Sequence, residues 1–167
     1  MMFGRFTGDA RVVVKDALEE ARECGARSVE AEHLLVAIAS RPGDAAAAGL
    51  AEAGLDREAI LAALEAEEVH SLAAAGVSRA AFDLPPPAPA ASPPRVGASV
   101  KLALVRGHRA ASDRGDRAIV AGHLLLGVLA AERGTVARAL ALSGVDRDDL
   151  ARSVGEAIPA DRPAAVH

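Results

Sequence analysis

Glu32 and His33 are adjacent, but no second histidine follows one helical turn later, so the pair lacks the H-E-x-x-H spacing that holds catalytic zinc. The other histidines, His70, His108, His123 and His167, show no ligand spacing, and no cysteine cluster is available because Cys24 is the only one. Nucleophilic catalysis needs a serine, cysteine or lysine beside a base and an orienting acid, and no such arrangement can be read here. The G-x-x-x-x-G-K-[ST] loop that cradles nucleotide phosphates is absent from the 167 residues. The chain therefore reads as a non-enzyme with no cofactor and no metal. His33 and His123 are expected to fix a turn by bonding to the neighbouring helix. Cys24 is expected to be a small core residue on an apolar stripe.

Composition narrows the partners. A formal net charge of -4 argues against a phosphate-binding surface, so nucleic acid is not expected. Charges interrupt every apolar run before it reaches bilayer length, and the N-terminal Met1–Arg5 stretch has no apolar run behind it, so neither a membrane nor a secretory route is expected. A cytoplasmic protein follows by default. Abundant alanine, the lack of Trp and Tyr, and only Phe3, Phe6 and Phe82 favour closely packed helices over a sheet.

The strongest organising signal is an internal repeat. Shifted by about ninety residues, Ala31-Glu32-His33-Leu34-Leu35 falls on Ala121-Gly122-His123-Leu124-Leu125 without a gap, and Gly54-Leu55-Asp56-Arg57 falls on Gly144-Val145-Asp146-Arg147. Each half reads as four helices. In the first, Ala10, Val13, Val14, Ala17, Leu18, Ala21 and Cys24 form one apolar stripe. Thr7 stands at its N-cap and Gly25 at its end. A second helix carries Leu34, Leu35 and Ile38. Pro42 suits the first turn of a third that stops at Gly54, and Asp56 caps a fourth. The second half repeats this near 98–114, 121–132, 135–143 and 147–157, with Gly115, Gly144 and Asp146 in matching roles. The expectation is an all-α fold of eight helices, two tandem four-helix repeats packed with pseudo-two-fold symmetry. Residues 1–68 form the first repeat and 97–157 the second. Between them, residues 69–96 form a Pro/Ala-rich linker, extended and mobile over 84–94, and 158–167 form a flexible tail.

Met2-Phe3-Gly4-Arg5-Phe6-Thr7, the Glu32-His33-Leu34-Leu35 motif and its echo resemble the N-terminal repeat domain of Clp ATPases, most closely the ClpC type, over residues 2 to about 157. The resemblance implies a docking platform for protein partners: a Clp adaptor, a substrate, the Clp ATPase itself, or Clp-targeting cyclic peptides. The ATPase modules are not in this sequence, which reads as a stand-alone copy acting as a decoy or as the regulatory part of an ATP-driven unfoldase. It also implies two sites. One is a phosphoarginine pocket in the first repeat, with Glu32 gripping the guanidinium and Thr7 the phosphate. In the second repeat Gly97 and Gly122 replace both residues, so the pocket is expected once. The other is an adaptor or peptide groove with Phe3, Val14 and Leu18 on one side and Lys101 on the other, altered by Val96 where the family has an aromatic.

Overall fold

The computed structural model describes residues 2–83 and 85–161. Among them are eight α-helices: α1 Gly8–Glu23, α2 Ala31–Ala39, α3 Ala45–Glu52, α4 Arg57–Ala74, α5 Ala98–Asp113, α6 Ala121–Leu129, α7 Thr135–Leu142 and α8 Arg147–Ala157. The Thr7 hydroxyl accepts from Ala10 N–H at 3.2 Å, Asp56 from Ala59 N–H at 2.8 Å and Asp146 from Asp148 N–H at 2.9 Å. These bonds satisfy amides that a helix start leaves without partners. Gly54 and Gly144 end α3 and α7 with φ of +76° and +72°, a region open to glycine at no steric penalty.

α2 and α6 are apolar almost all round and lie at the centre. Leu34, Leu35 and Ile38 from α2 meet Leu124, Leu125 and Leu129 from α6 in one continuous core. Burying each such side chain is worth roughly 1.5–3 kcal/mol. The contacts between halves obey a two-fold exchange: α4 packs on α7 while α8 packs on α3, and α1 reaches α6 while α5 reaches α2.

The segments leading into α1 and α5 exchange as well. Phe6 bridges Ile119 in parallel, with Thr7 N–H donating to Ile119 O at 3.0 Å and Ile119 N–H to Arg5 O at 2.8 Å. About ninety residues on, β2 (Arg95–Val96) pairs in parallel with β1 (Ser28–Val29), and Gly97 N–H donates to Val29 O at 2.9 Å. Each repeat thus starts on the surface of the other. Two-residue strands leave the fold all-α.

Several expectations need correction. Cys24 is the exposed C-cap of α1, one residue past the helix end and three past Ala21, where the buried stripe of Ala10, Val13, Ala17 and Ala21 stops. Pro42 lies in the turn before α3, which starts at Ala45 because the Asp44 side chain caps it, accepting from Ala46 N–H at 2.8 Å. α4 runs to Ala74, past the boundary placed at 68, since no proline interrupts it. Residues 85–94 are extended and largely exposed as expected. Yet they lie against the end of α1: Ala90 N–H donates to Arg22 O at 2.8 Å, and the Ala88 carbonyl comes within 2.5 Å of where a Cβ on Gly25 would sit. Leu84 and 162–167, including His167, lie outside the described residues. The start of the tail is tied down. Ile158 is buried, Arg114 donates to Gly155 O at 2.8 Å and Ile158 O at 3.2 Å, and the Asp161 carboxylate accepts from Arg117 N–H at 3.0 Å.

Candidate docking surfaces

His123 is 1% exposed and fully engaged. Its Nδ1 accepts from Val120 N–H at 3.1 Å, so in the neutral ring Nε2 carries the proton and donates to Asp116 Oδ2 at 2.9 Å. Burial pushes the imidazole below its usual pKa, and Asp116 opposes that shift without cancelling it. The Asp116 carboxyl is in turn held below the usual range, first by its bond from Arg114. His33 repeats the turn-fixing bond, accepting from Glu30 N–H at 2.9 Å, while its Nε2 lies 3.4 Å from Cys24 Sγ. Burial likewise lowers its pKa, against the pull of Glu32 and Glu30. Both rings fix a turn as expected, but the bond that does so goes to the N-cap amide of each ring's own helix rather than to a neighbouring helix. Arg5 meets His108 Nε2 at 3.2 Å, and His70 is exposed on α4. No group of three or more His, Cys, Asp or Glu gathers at metal-binding spacing among the described residues.

The exchanged lead-in segments decide which residues share a cleft. Thr7 lies beside Ile119 and faces the start of α6, so its cleft of about 220 Å³ is lined by Asp9, Asp44, Ala121, Gly122 and Ile158. Glu32 lines another, of about 700 Å³, with Ser99, Leu102, Arg106 and Arg133. Thr7 and Glu32 therefore do not meet, and the pairing expected within the first repeat is wrong. Each cleft is composed across repeats: Thr7 shares its cleft with Gly122, and Glu32 shares its cleft with Ser99, two residues past Gly97. Each cleft lacks one half of the pair.

Both vacancies are also filled. A Cβ on Gly122 would come 2.6 Å from Ile158 Cγ1, so the buried isoleucine occupies the space of a side chain at 122. A Cβ on Gly97 would lie within bonding distance of Glu30 Oε1. The Glu30 carboxylate takes that position, accepting from Ser99 N–H at 3.1 Å, Ser99 Oγ–H at 2.5 Å and Ser28 Oγ–H at 2.9 Å. Burial opposes its ionisation, but the bonds from Ser99 and Ser28 outweigh it and hold the carboxyl below the usual range. It caps α5 from the other repeat, where Gly97 offers no side chain. A phosphate at that helix start would meet a fixed anion.

The groove residues divide. Phe3, Gly4, Arg11 and Val14 line an open, mainly apolar groove of about 420 Å³. Phe3 is 47% exposed, its ring edge-on to Phe6 at 5.1 Å, and Arg11 Nη2 donates to Phe3 O at 3.2 Å. Leu18 is part-buried against the core beside Val14. Lys101 and Val96 are exposed on α5 and just before it but do not line this groove. A family profile for the Clp repeat (R) N-terminal domain matches residues 5–85 and 95–164. The chain belongs to this family. Its Clp repeat fold is shared with the N-terminal domain of the chaperone ClpD from Arabidopsis thaliana (17% identity, TM-score 0.62, covering 91% of this chain and 96% of that one). The Hsp104 N-terminal domain from Candida albicans is similar (15% identity, TM-score 0.62, 89% and 88% covered). So is a protein from a malarial protein secretion system (17%, 0.64, 95% and 100%).

Glu30, Arg106, Arg133 and Ile158 went unremarked in the sequence. Glu30 was discernible as the residue before α2 and three before His33, the place of an N-cap. Ile158 was not, because nothing local shows that the chain past α8 turns back to Gly122.

Proposed function

We propose that this Clp repeat domain is a non-catalytic docking module that engages protein partners, such as a Clp adaptor or a substrate, through the groove of Phe3, Arg11 and Val14. The half-exposed Phe3 ring carries the reading. It is held by its edge contact with Phe6, the backbone around it is fixed by Arg11, and it stays half-exposed among the described residues. An apolar anchor pre-set beside a guanidinium is the anatomy of a binding hot spot. Cyclic peptides rich in apolar side chains suit the same groove. The test is photo-crosslinking from position 14 with wild type, Phe3→Ala and, as a control at another exposed apolar site, Leu61→Ser. Loss of the same crosslinked proteins in Phe3→Ala but not Leu61→Ser supports the groove; identical patterns in all three refute it.

A second reading is that the domain works only joined or docked to an ATPase ring. It is favoured by the two chaperone N-terminal domains that share the fold. Adding the purified chain to adaptor-dependent proteolysis by the cell's full-length Clp ATPase separates the two. A free decoy inhibits by taking up adaptor, and the inhibition is lost with Phe3→Ala. A part that needs its ring leaves the rate unchanged.

A further inference from the structure

The cleft beside Glu32 differs from its first-repeat counterpart at positions that carry charge. In the first repeat Arg41, just past α2, reaches Asp9 and Asp16 of α1, each at 3.4 Å, and Asp44 caps α3. At the equivalent places stand Ala131, Ser99, Arg106 and Gly134. The guanidinium now rises from the α5 wall instead of the α2 wall, and no carboxylate has moved to meet it. Among the described residues neither Arg106, which is half-buried, nor Arg133 forms an ion pair. Gly134 leaves α7 without a side-chain cap. Leu102, in the same cleft, is 51% exposed.

We propose that this cleft takes an extended segment of a partner protein bearing one Asp or Glu flanked by apolar residues. The carboxylate pairs with Arg106 and Arg133, and an apolar neighbour lies on Leu102. From outside, the ligand restores the ion pair that the first repeat makes from within, and the uncapped start of α7 adds favourable potential. Glu30, Glu32 and Glu132 also line the cleft, with the Glu30 carboxylate already bound by Ser99 and Ser28, so a uniformly acidic ligand is repelled and a single carboxylate among apolar residues is selected. This surface is separate from the Phe3 groove, so either site can fail without the other.

The test is fluorescence anisotropy of the full chain with a fluorescein-labelled peptide containing Leu-Glu-Leu, blocked at both ends, against the same peptide with Gln for Glu. The Glu probe should bind about tenfold or more tighter than the Gln probe. Arg106→Gln and Arg133→Gln should each weaken it about tenfold, the loss of one charge-assisted bond. Arg109→Gln, on the outer face of α5 and within reach of Asp113, should change nothing. Equal binding of the two probes, an equal loss in Arg109→Gln, or no binding at millimolar peptide overturns the proposal. So does sedimentation showing that Arg106 is covered by a second copy, or a phosphoserine probe that binds where the Glu probe does not. Should Arg106→Gln fail to fold, Arg133→Gln, in the exposed turn before α7, carries the test alone.

Discussion

Replacing Gly127 with alanine sets two effects of opposite sign against each other. Helix propensity favours the change by about 1 kcal/mol, since alanine loses less backbone entropy than glycine. Packing opposes it. A Cβ at Gly127 would overlap the Ala103 carbonyl oxygen and lie 2.6 Å from Gly107 N, both backbone atoms of α5. Neither can swing aside as a side-chain tip would, so α5 and α6 would have to part by more than an ångström. That separation loosens Leu104, Leu124 and Val128, all buried. Overpacking of this kind costs about 1–3 kcal/mol and more when backbone must move, so the net expectation is a loss of about 2 kcal/mol. For a chain of this size that lowers Tm by about 4–8 °C. Gly49→Ala is the control. Its Cβ would make an ordinary 3.7 Å contact with Val154, and propensity alone should raise Tm slightly. Calorimetry or thermal circular dichroism reads both. A Gly127→Ala protein melting at or above wild type would refute the close approach of α5 and α6.

Lowering the pH should destabilise the fold in two stages. His33 and His123 are held neutral, with folded pKa values below the unfolded value of about 6.5, so their contribution is full above that pH and is lost as pH falls below it. Glu30, Glu67 and Asp116, held below the usual carboxylate range, add a further loss only below about pH 4.5; a Tm that stays flat from about pH 7.5 to about pH 5.5 contradicts the histidine stage. Glu30→Ala should destabilise by about 1–2 kcal/mol through loss of the α5 cap, and Gly97→Ala by a similar amount because it evicts the same carboxylate; denaturant titration that leaves both at wild-type stability would refute the cross-repeat cap. In native-state hydrogen exchange the Ala90 amide should be slower than those of Ala88 and Ala91, reflecting its bond to Arg22 O; equal rates would mean that the linker does not rest on α1.

The helices were legible because they are written locally. Asp56 and Asp146 cap helices from equivalent places, and the apolar spacing of α1 and α5 recurs at the same offset. The gapless repeat even carried the two-fold packing. The site was legible only in part. Phe3 and Val14 share a groove because they are near neighbours in the chain. Thr7 and Glu32 were paired because both belong to the first repeat, yet their clefts are composed across repeats by the crossing of the lead-in segments. Strands of two residues have no periodicity to betray them. Cys24 was misplaced because the buried stripe stops at Ala21 and the helix at Glu23, which leaves Cys24 as the cap beyond both.

The crossing itself bears on how the chain folds. Thr7 is bound to Ile119, and Gly97 to Val29, so the start of each repeat is completed by residues far away in sequence. Neither half can finish alone, and closure waits on loops much longer than any helix, which slows folding relative to a simple helical hairpin. Cut within the proline-rich connection, the two fragments should still find each other and form one noncovalent molecule. With the connection shortened, each lead-in would reach the matching groove of a second molecule more easily than its own, and the monomer would give way to a swapped dimer.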